Sequence, residues 1–197
     1  MSDTSVLGYA LLGLIQQRPS SGYDLRKIFA ETAMGNYSSS PGAIYPALER
    51  LESQGLIFGV VKDSAGLRRR RVYRLTLKGT AELRKWLTRP IEQGDVKRGM
   101  AELMLRFAFT DKALGPEAAI AFLQRFRAVL KPYTAGLQAF LRANAERMPL
   151  SGRLALECGI RSYRSLYAWT DYAVRQYRES QQRTALTKPN THKGGLR

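Results

Sequence analysis

Arg68, Arg69, Arg70 and Arg71 are four consecutive arginines and the densest concentration of chemistry in this 197-residue sequence. A guanidinium presents a fork of N–H donors that matches phosphate oxygens and stays charged throughout the accessible pH range, so the run is suited to holding a polyanion. Catalytic chemistry has no comparable signal. His192 is the only histidine and Cys158 the only cysteine, and no motif offers a nucleophile, a base and an orienting group together, or a phosphate-cradling loop. An enzyme is therefore not expected, and neither is a metal or a cofactor. A lone cysteine excludes an internal disulfide and a multi-cysteine metal site. In its helical context Cys158 reads as a small buried hydrophobe, with a redox sensor as the alternative.

The elements around the arginines decide where they point. Ile57-Phe58-Gly59-Val60-Val61 and Val72-Tyr73-Arg74-Leu75 are short β-prone runs, and Asp63-Ser64-Ala65-Gly66 between them is turn chemistry. The spacing predicts a two-stranded hairpin with the arginines at its tip or on its return strand. Alternation sends two arginines to each face, and a face packed on a core would bury two guanidinium groups without evident carboxylate partners. The hairpin is thus expected to project into solvent or onto a polyanion. A basic edge that merely discourages strand-to-strand aggregation is the competing reading.

Just upstream, Ser40 suits an N-cap, Pro41 the first helical position and Gly55 the left-handed residue that closes a helix. Ile44, Ala47, Leu48 and Leu51 recur on one face, leaving Gly42, Tyr45, Pro46, Glu49 and Arg50 on the other. A helix starting at Pro41 has Pro46 in its interior, where a proline loses a backbone hydrogen bond at a cost of about 3 kcal/mol, so a kink is expected there. Two helices precede it, Val6 to Gln16 and Gly22 to Thr32. Arg18-Pro19-Ser20-Ser21 ends the first and caps the second, and a polar loop from Gly35 to Ser39 follows. Helix, helix, loop, helix and basic hairpin is the order of a winged helix-turn-helix, in which the third helix reads the major groove and the wing lies on phosphates.

Ala10-Leu11-Leu12-Gly13-Leu14-Ile15, Ser21-Gly22-Tyr23-Asp24-Leu25, the stretch Ser40 to Leu51 with Gly55-Leu56-Ile57, Arg71-Val72-Tyr73-Arg74-Leu75-Thr76 and Lys78-Gly79 together resemble the PadR family of bacterial transcriptional regulators. The match runs over residues 5 to 88, and the long helical second half is similar to the AphA-like subfamily. The resemblance implies a homodimer that binds a pseudo-palindromic operator in double-stranded DNA, with the C-terminal helices holding the dimer. A Tyr-Pro pair such as Tyr45-Pro46 is typical of the family's recognition helix. The run of four arginines departs from the alternation of basic and neutral residues in many members. On this basis Tyr45 and Pro46 are expected at base edges, while Ser38, Ser39, Ser40 and Gly42 hold phosphates at the start of the third helix. Arg50 and Arg68 to Arg71 add electrostatic affinity, and Tyr23 and Lys78 complete the DNA-binding set.

Composition agrees. Lys and Arg number 32 against 16 Asp and Glu, a formal net charge of +16 with a sequence pI near 10.4. Such an excess points to nucleic acid or an anionic surface, and it is shared by both halves of the chain, so charge alone does not locate the site. The apolar run Val6 to Ile15 is too short to span a bilayer, and Asp3 stands where an export signal wants basic residues, so a cytoplasmic protein without a membrane partner is expected.

Overall the fold class expected is mainly α with a small β-hairpin, as an N-terminal winged helix-turn-helix plus a C-terminal helical dimerisation domain. The domains would be residues 1–90, 91–183 and a disordered basic tail, 184–197. In the second half Met100, Leu103, Met104 and Phe107 form one apolar stripe. Gly115-Pro116-Glu117 opens a longer helix with a possible break at Pro132, and a last helix runs from Ser151 to Gln182. Tyr163, Tyr167, Trp169, Tyr172 and Tyr177 crowd that last helix, either as interface packing or as the lining of a pocket for a flat small-molecule effector. A dimeric small-molecule sensor or protein adaptor, and a non-specific architectural DNA binder, are the alternative functions.

Overall fold

A computed structural model describes residues 4–37, 41–62 and 70–187. Ser38, Ser39, Ser40, Arg68 and Arg69, the turn at 63–66 and the tail around His192 lie outside the described residues. The chain forms two compact units that divide between Ala119 and Ile120, beyond the boundary at residue 90 expected from sequence.

In the first unit, α1 (Val6–Gln17) leads into a two-residue strand β1 (Ser20–Ser21) and α2 (Gly22–Glu31). Two 3-10 turns, Ala33–Tyr37 and Pro41–Ala43, precede α3 (Ile44–Ser53). The hairpin is β2 (Ile57–Lys62) and β3 (Arg70–Leu75), and α4 (Leu77–Thr88), α5 (Gln93–Arg98) and α6 (Met100–Leu114) follow. This is a winged helix-turn-helix, mainly helical with one small antiparallel sheet. Leu11, Leu12, Leu25, Ile44, Leu48, Ile57 and Leu83 are fully buried and belong to one core cluster. The hydrophobic faces read from sequence on α1, α2 and α3 all meet there.

The sheet has three strands, in the order β1-β3-β2, not two. Ser20 pairs with Tyr73 and Ser21 with Val72. Two serines carry no β-pattern, but their extended backbone is what an N-cap requires, so the same residues serve the sheet and the helix that follows. Ser21 caps α2 in a closed box: Asp24 N donates to Ser21 Oγ at 3.2 Å, and Ser21 N and Oγ donate to Asp24 Oδ2 at 3.2 and 2.7 Å. The Ser21 hydroxyl, more than any other group, holds the Asp24 carboxyl below its ordinary value of 3.8. A carboxylate with a lowered folded pKa adds stability that is complete above the ordinary value and disappears as pH falls through the folded one. Ser21→Ala should cost about 1 kcal/mol. The stability advantage of the wild type over Asp24→Asn, read from urea midpoints, should shrink steadily on acidification through that window.

Pro46 is not an interior proline. The α-helix begins at Ile44 behind the 3-10 turn, with Ala43 in the cap position and no side-chain cap bond. Pro46 is then in the first turn, where backbone N–H groups have no intrahelical acceptor, so neither the lost bond nor the kink arises. The other end closes as expected. Gly55 has φ of 69°, Leu56 N donates to Leu51 O at 2.9 Å and Gly55 N to Glu52 O at 2.9 Å, the paired bonds of a Schellman motif.

The apolar stripe expected on Met100, Leu103, Met104 and Phe107 is rotated. The buried residues of α6 are Leu103, Leu105, Arg106, Phe109 and Thr110, with Met100, Met104 and Phe107 only partly covered. Arg106 causes the shift. It is 0% exposed, and its guanidinium donates to the carbonyls of Arg89 and Leu87, the latter at 3.4 Å, at the C-terminal end of α4. Gly13 on α1 admits the Phe109 ring so closely that a methyl group there would overlap it.

The second unit holds most of α7 (Pro116–Asn144) and all of α8 (Leu150–Thr187), joined by a 3-10 turn at Ala145–Arg147. Pro132 lies inside α7, which is assigned as one continuous helix. Its buried face is Phe122, Leu123, Phe126, Leu130 and Thr134, while Phe140, expected on the apolar stripe, is exposed. Arg127 pairs with Asp171 at 2.7 Å and lies over the Tyr167 ring at 4.5 Å, and Tyr133 meets Tyr163 edge-on at 5.1 Å. Cys158 is exposed on α8, not buried as its residue type suggested. The helix continues to Thr187, into the segment expected to be a tail. Among the described residues no helix is long and apolar enough to cross a membrane.

Candidate nucleic-acid interface

The residues singled out by sequence converge on one cleft. Ser21, Gly22, Tyr23, Tyr45, Arg70, Arg71 and Tyr73 line a space of about 470 Å³ where the start of α2, the first turn of α3 and the base of the wing meet. Tyr23 and Tyr45 are about half exposed, at 53% and 47%. Each sits near the N-terminus of its helix, where unpaired backbone donors and the helix dipole favour an anion. Arg70 and Arg71 bring two further positive charges. Aromatic rings beside cations and helix starts can stack on apolar surface and hold phosphate oxygens in one place.

Gly22 makes room for this arrangement. A methyl group on Gly22 would meet Tyr45 Cε1 at 2.7 Å, so the ring of Tyr45 rests against the backbone of α2. The side chain that sequence reasoning places at base edges is therefore braced from the neighbouring helix. Pro46 and Arg50 are exposed one turn apart on α3, and Gly42 lies in the 3-10 turn before it. Lys78 is elsewhere. Its Nζ donates to Gln54 O at 2.7 Å, capping the C-terminal end of α3, with Thr76 donating from its hydroxyl to Gly55 O at 2.7 Å beside it.

The arginines of β3 divide. Arg70 follows the strand alternation to one face with Val72 and Arg74. Arg71 lies on the other, where its guanidinium donates to Glu52 Oε1 at 2.6 Å. The sequence reading saw no carboxylate for such a residue, because Glu52 comes from the last turn of α3. Gly59 was the available signal: a glycine inside a β-branched strand often marks a place where another group crosses.

Similarity to known proteins bears on the same region. The family model "Transcriptional regulator PadR-like family" matches residues 11–85. The negative transcriptional regulator PadR of Bacillus subtilis (strain 168) is 34% identical over 151 residues, which cover 74% of this chain and 80% of that protein. The chain belongs to the PadR-like family of transcriptional regulators. PadR-like proteins are regulators, not enzymes. Transcriptional regulator YqjI of Escherichia coli (strain K12) shares 41% identity over 51 residues, 26% of this chain and 25% of that one. Among solved structures, Bacillus subtilis PadR in complex with operator DNA overlays with a TM-score of 0.41 at 24% identity, over 87% of this chain and 99% of that chain.

Neither this cleft nor a second one is lined by the aromatic residues of α8. The second, about 790 Å³, lies in the first unit beside Tyr9 and Trp86, which stack at 4.5 Å with an interplanar angle of 4°. Glu82 and Glu102 accept from those two rings at 2.7 and 2.9 Å. Of the α8 cluster, Tyr163 and Tyr167 make the contacts with α7 described above, and Tyr172 is 52% exposed. Trp169 and Tyr177 are partly covered.

Proposed function

We propose that this regulator binds double-stranded DNA as a homodimer at a pseudo-palindromic operator, with the first turn of α3 in the major groove and the wing on the backbone. The observation that carries the proposal is the joint placement of Tyr23, Tyr45, Arg70 and Arg71 around one cleft at two helix N-termini. Tyr45 and Pro46 meet base edges, where an apolar ring suits thymine methyl groups. Gly42 and Arg50 border that contact, Arg70 holds phosphate, and Ser38, Ser39, Ser40, Arg68 and Arg69 extend the same surface. A two-fold operator calls for a two-fold protein. Support for the dimer comes from the second unit, where the 38-residue α8 spans roughly 57 Å and Phe140, Leu150, Leu154 and Tyr172 are exposed. Repression is the favoured sign, in keeping with the name of the Bacillus subtilis relative.

The test is selection from a genomic fragment pool against excess random duplex at two salt concentrations. Enrichment of a two-fold symmetric site that persists at the higher salt supports the proposal, and uniform binding that collapses with salt replaces it with an architectural role. Arg70→Ala should lower affinity for every duplex and flatten the slope of log K against log salt by about 0.9. An unchanged slope would remove Arg70 from the backbone contacts.

A small-molecule input to the same regulator is the second reading, favoured by the cavity beside Tyr9 and Trp86. Its flat stacked pair, flanked by Lys85 and Arg89, suits a planar aromatic acid. Quenching of Trp86 fluorescence on titration, abolished by Tyr9→Ala, would support it.

A further inference from the structure

Arg71 is held by three neighbours at once. Its guanidinium donates to Glu52 Oε1 at 2.6 Å and lies 5.8 Å from the centre of the Tyr73 ring. Its stem passes so close over Gly59 that a methyl group there would collide with Arg71 Nε and Cγ. The same Glu52 oxygen accepts from Gly59 N at 3.0 Å, so one carboxylate fixes both the strand and the arginine that crosses it. Glu52 is only 28% exposed while Arg71 remains 54% exposed. The pair therefore sits at the rim of the cleft, within reach of whatever occupies it.

We propose that Glu52 is a positioning residue that withholds Arg71 from the DNA backbone, limiting the sequence-independent share of binding. The proposal rests on the DNA-binding reading above. An arginine already neutralised at short range releases no counterion when DNA arrives, so it adds nothing to the salt-dependent term. A phosphate that displaced Glu52 would leave a carboxylate uncompensated beside the polyanion, which opposes the exchange. Sequence-independent affinity is what a genome's excess of wrong sites competes for, and a regulator with a strongly basic chain gains by holding one cation back. Arg71 then serves as a brace between the wing and the end of α3, and Arg70 makes the contact.

The experiment measures affinity for random duplex as a function of salt, by fluorescence anisotropy, for the full-length wild type and three variants. Glu52→Gln keeps an acceptor for Gly59 N and removes the charge that holds Arg71. It should tighten binding and steepen the log–log slope by about 0.9, one further counterion released. Arg71→Ala should leave the wild-type slope unchanged, and Glu52→Gln with Arg71→Ala should return to it. A slope that flattens by a full contact in Arg71→Ala alone would overturn the proposal, since Arg71 would then already be on the backbone. A gain in Glu52→Gln that survives in the double variant would overturn it too, as simple loss of a negative charge. An unchanged Glu52→Gln slope would refute the withholding while leaving DNA binding intact. Absence of any salt-dependent binding by the wild type would instead overturn the DNA-binding reading itself.

Discussion

Tyr45→Ala should leave affinity for random duplex almost unchanged while reducing the preference for operator over random DNA by roughly tenfold or more. A good base-edge contact carries about 1–3 kcal/mol of discrimination, and in a two-fold dimer each loss is incurred twice. The ring is half exposed at the start of α3 and rests on the backbone of Gly22, so alanine removes it without opening the core formed by Ile44, Leu48 and Leu51. Gly22→Ala offers the complementary measurement. It keeps Tyr45 but displaces the ring from its seat, and should reproduce part of the same loss. Competition binding with operator and scrambled duplex measures both. Equal losses on the two duplexes would make Tyr45 an affinity residue and move base reading elsewhere on α3.

Arg106→Ala should destabilise the first unit by on the order of 3 kcal/mol. The substitution opens a cavity at a fully buried position and takes the donor away from two carbonyls at the end of α4. Those carbonyls also carry the negative end of the helix dipole, which the guanidinium offsets. Arg106→Lys restores the charge but one compact donor cannot reproduce the fork, so it should recover less than half of the loss. Urea unfolding of the two variants beside wild type measures this. A change below about 1 kcal/mol for alanine would show that water or a neighbour replaces the arginine at the carbonyls.

Arg106 also shows why part of the fold was illegible in the sequence. A stripe at i, i+3, i+4 and i+7 correctly marks a helix, but an arginine inside the segment reads as its outer face. Only the position of α4, fixed by residues far along the chain, supplies the carbonyls that draw it inward. Local grammar worked where one residue sets the backbone: Gly55 closes α3, and the serine at position 21 caps α2. It failed at Pro46 because the start of the helix was taken from Ser40 and Pro41, whereas a 3-10 turn delays the α-helix to Ile44. The strand formed by Ser20 and Ser21 was missed because it has no hydrophobic alternation to detect. In the candidate site, Tyr23, Tyr45 and Arg70 were legible through type and resemblance. Glu52 was not, since its role depends on a side chain crossing from a strand nineteen residues away.

The two ends of α3 are built unequally, and that asymmetry has a thermodynamic side. Its last turn is clasped by the Schellman bonds, Thr76 and Lys78, while its first turn opens from a 3-10 turn behind Ala43 with no side-chain cap bond. Fraying therefore begins at the end that carries Tyr45. Fixing each frayed residue against a surface costs about 1–2 kcal/mol of backbone entropy, a cost that a well-matched groove offsets and a mismatched one does not. The softness of that first turn thus acts as a threshold on recognition, raising the fit a sequence must offer before the helix commits to it.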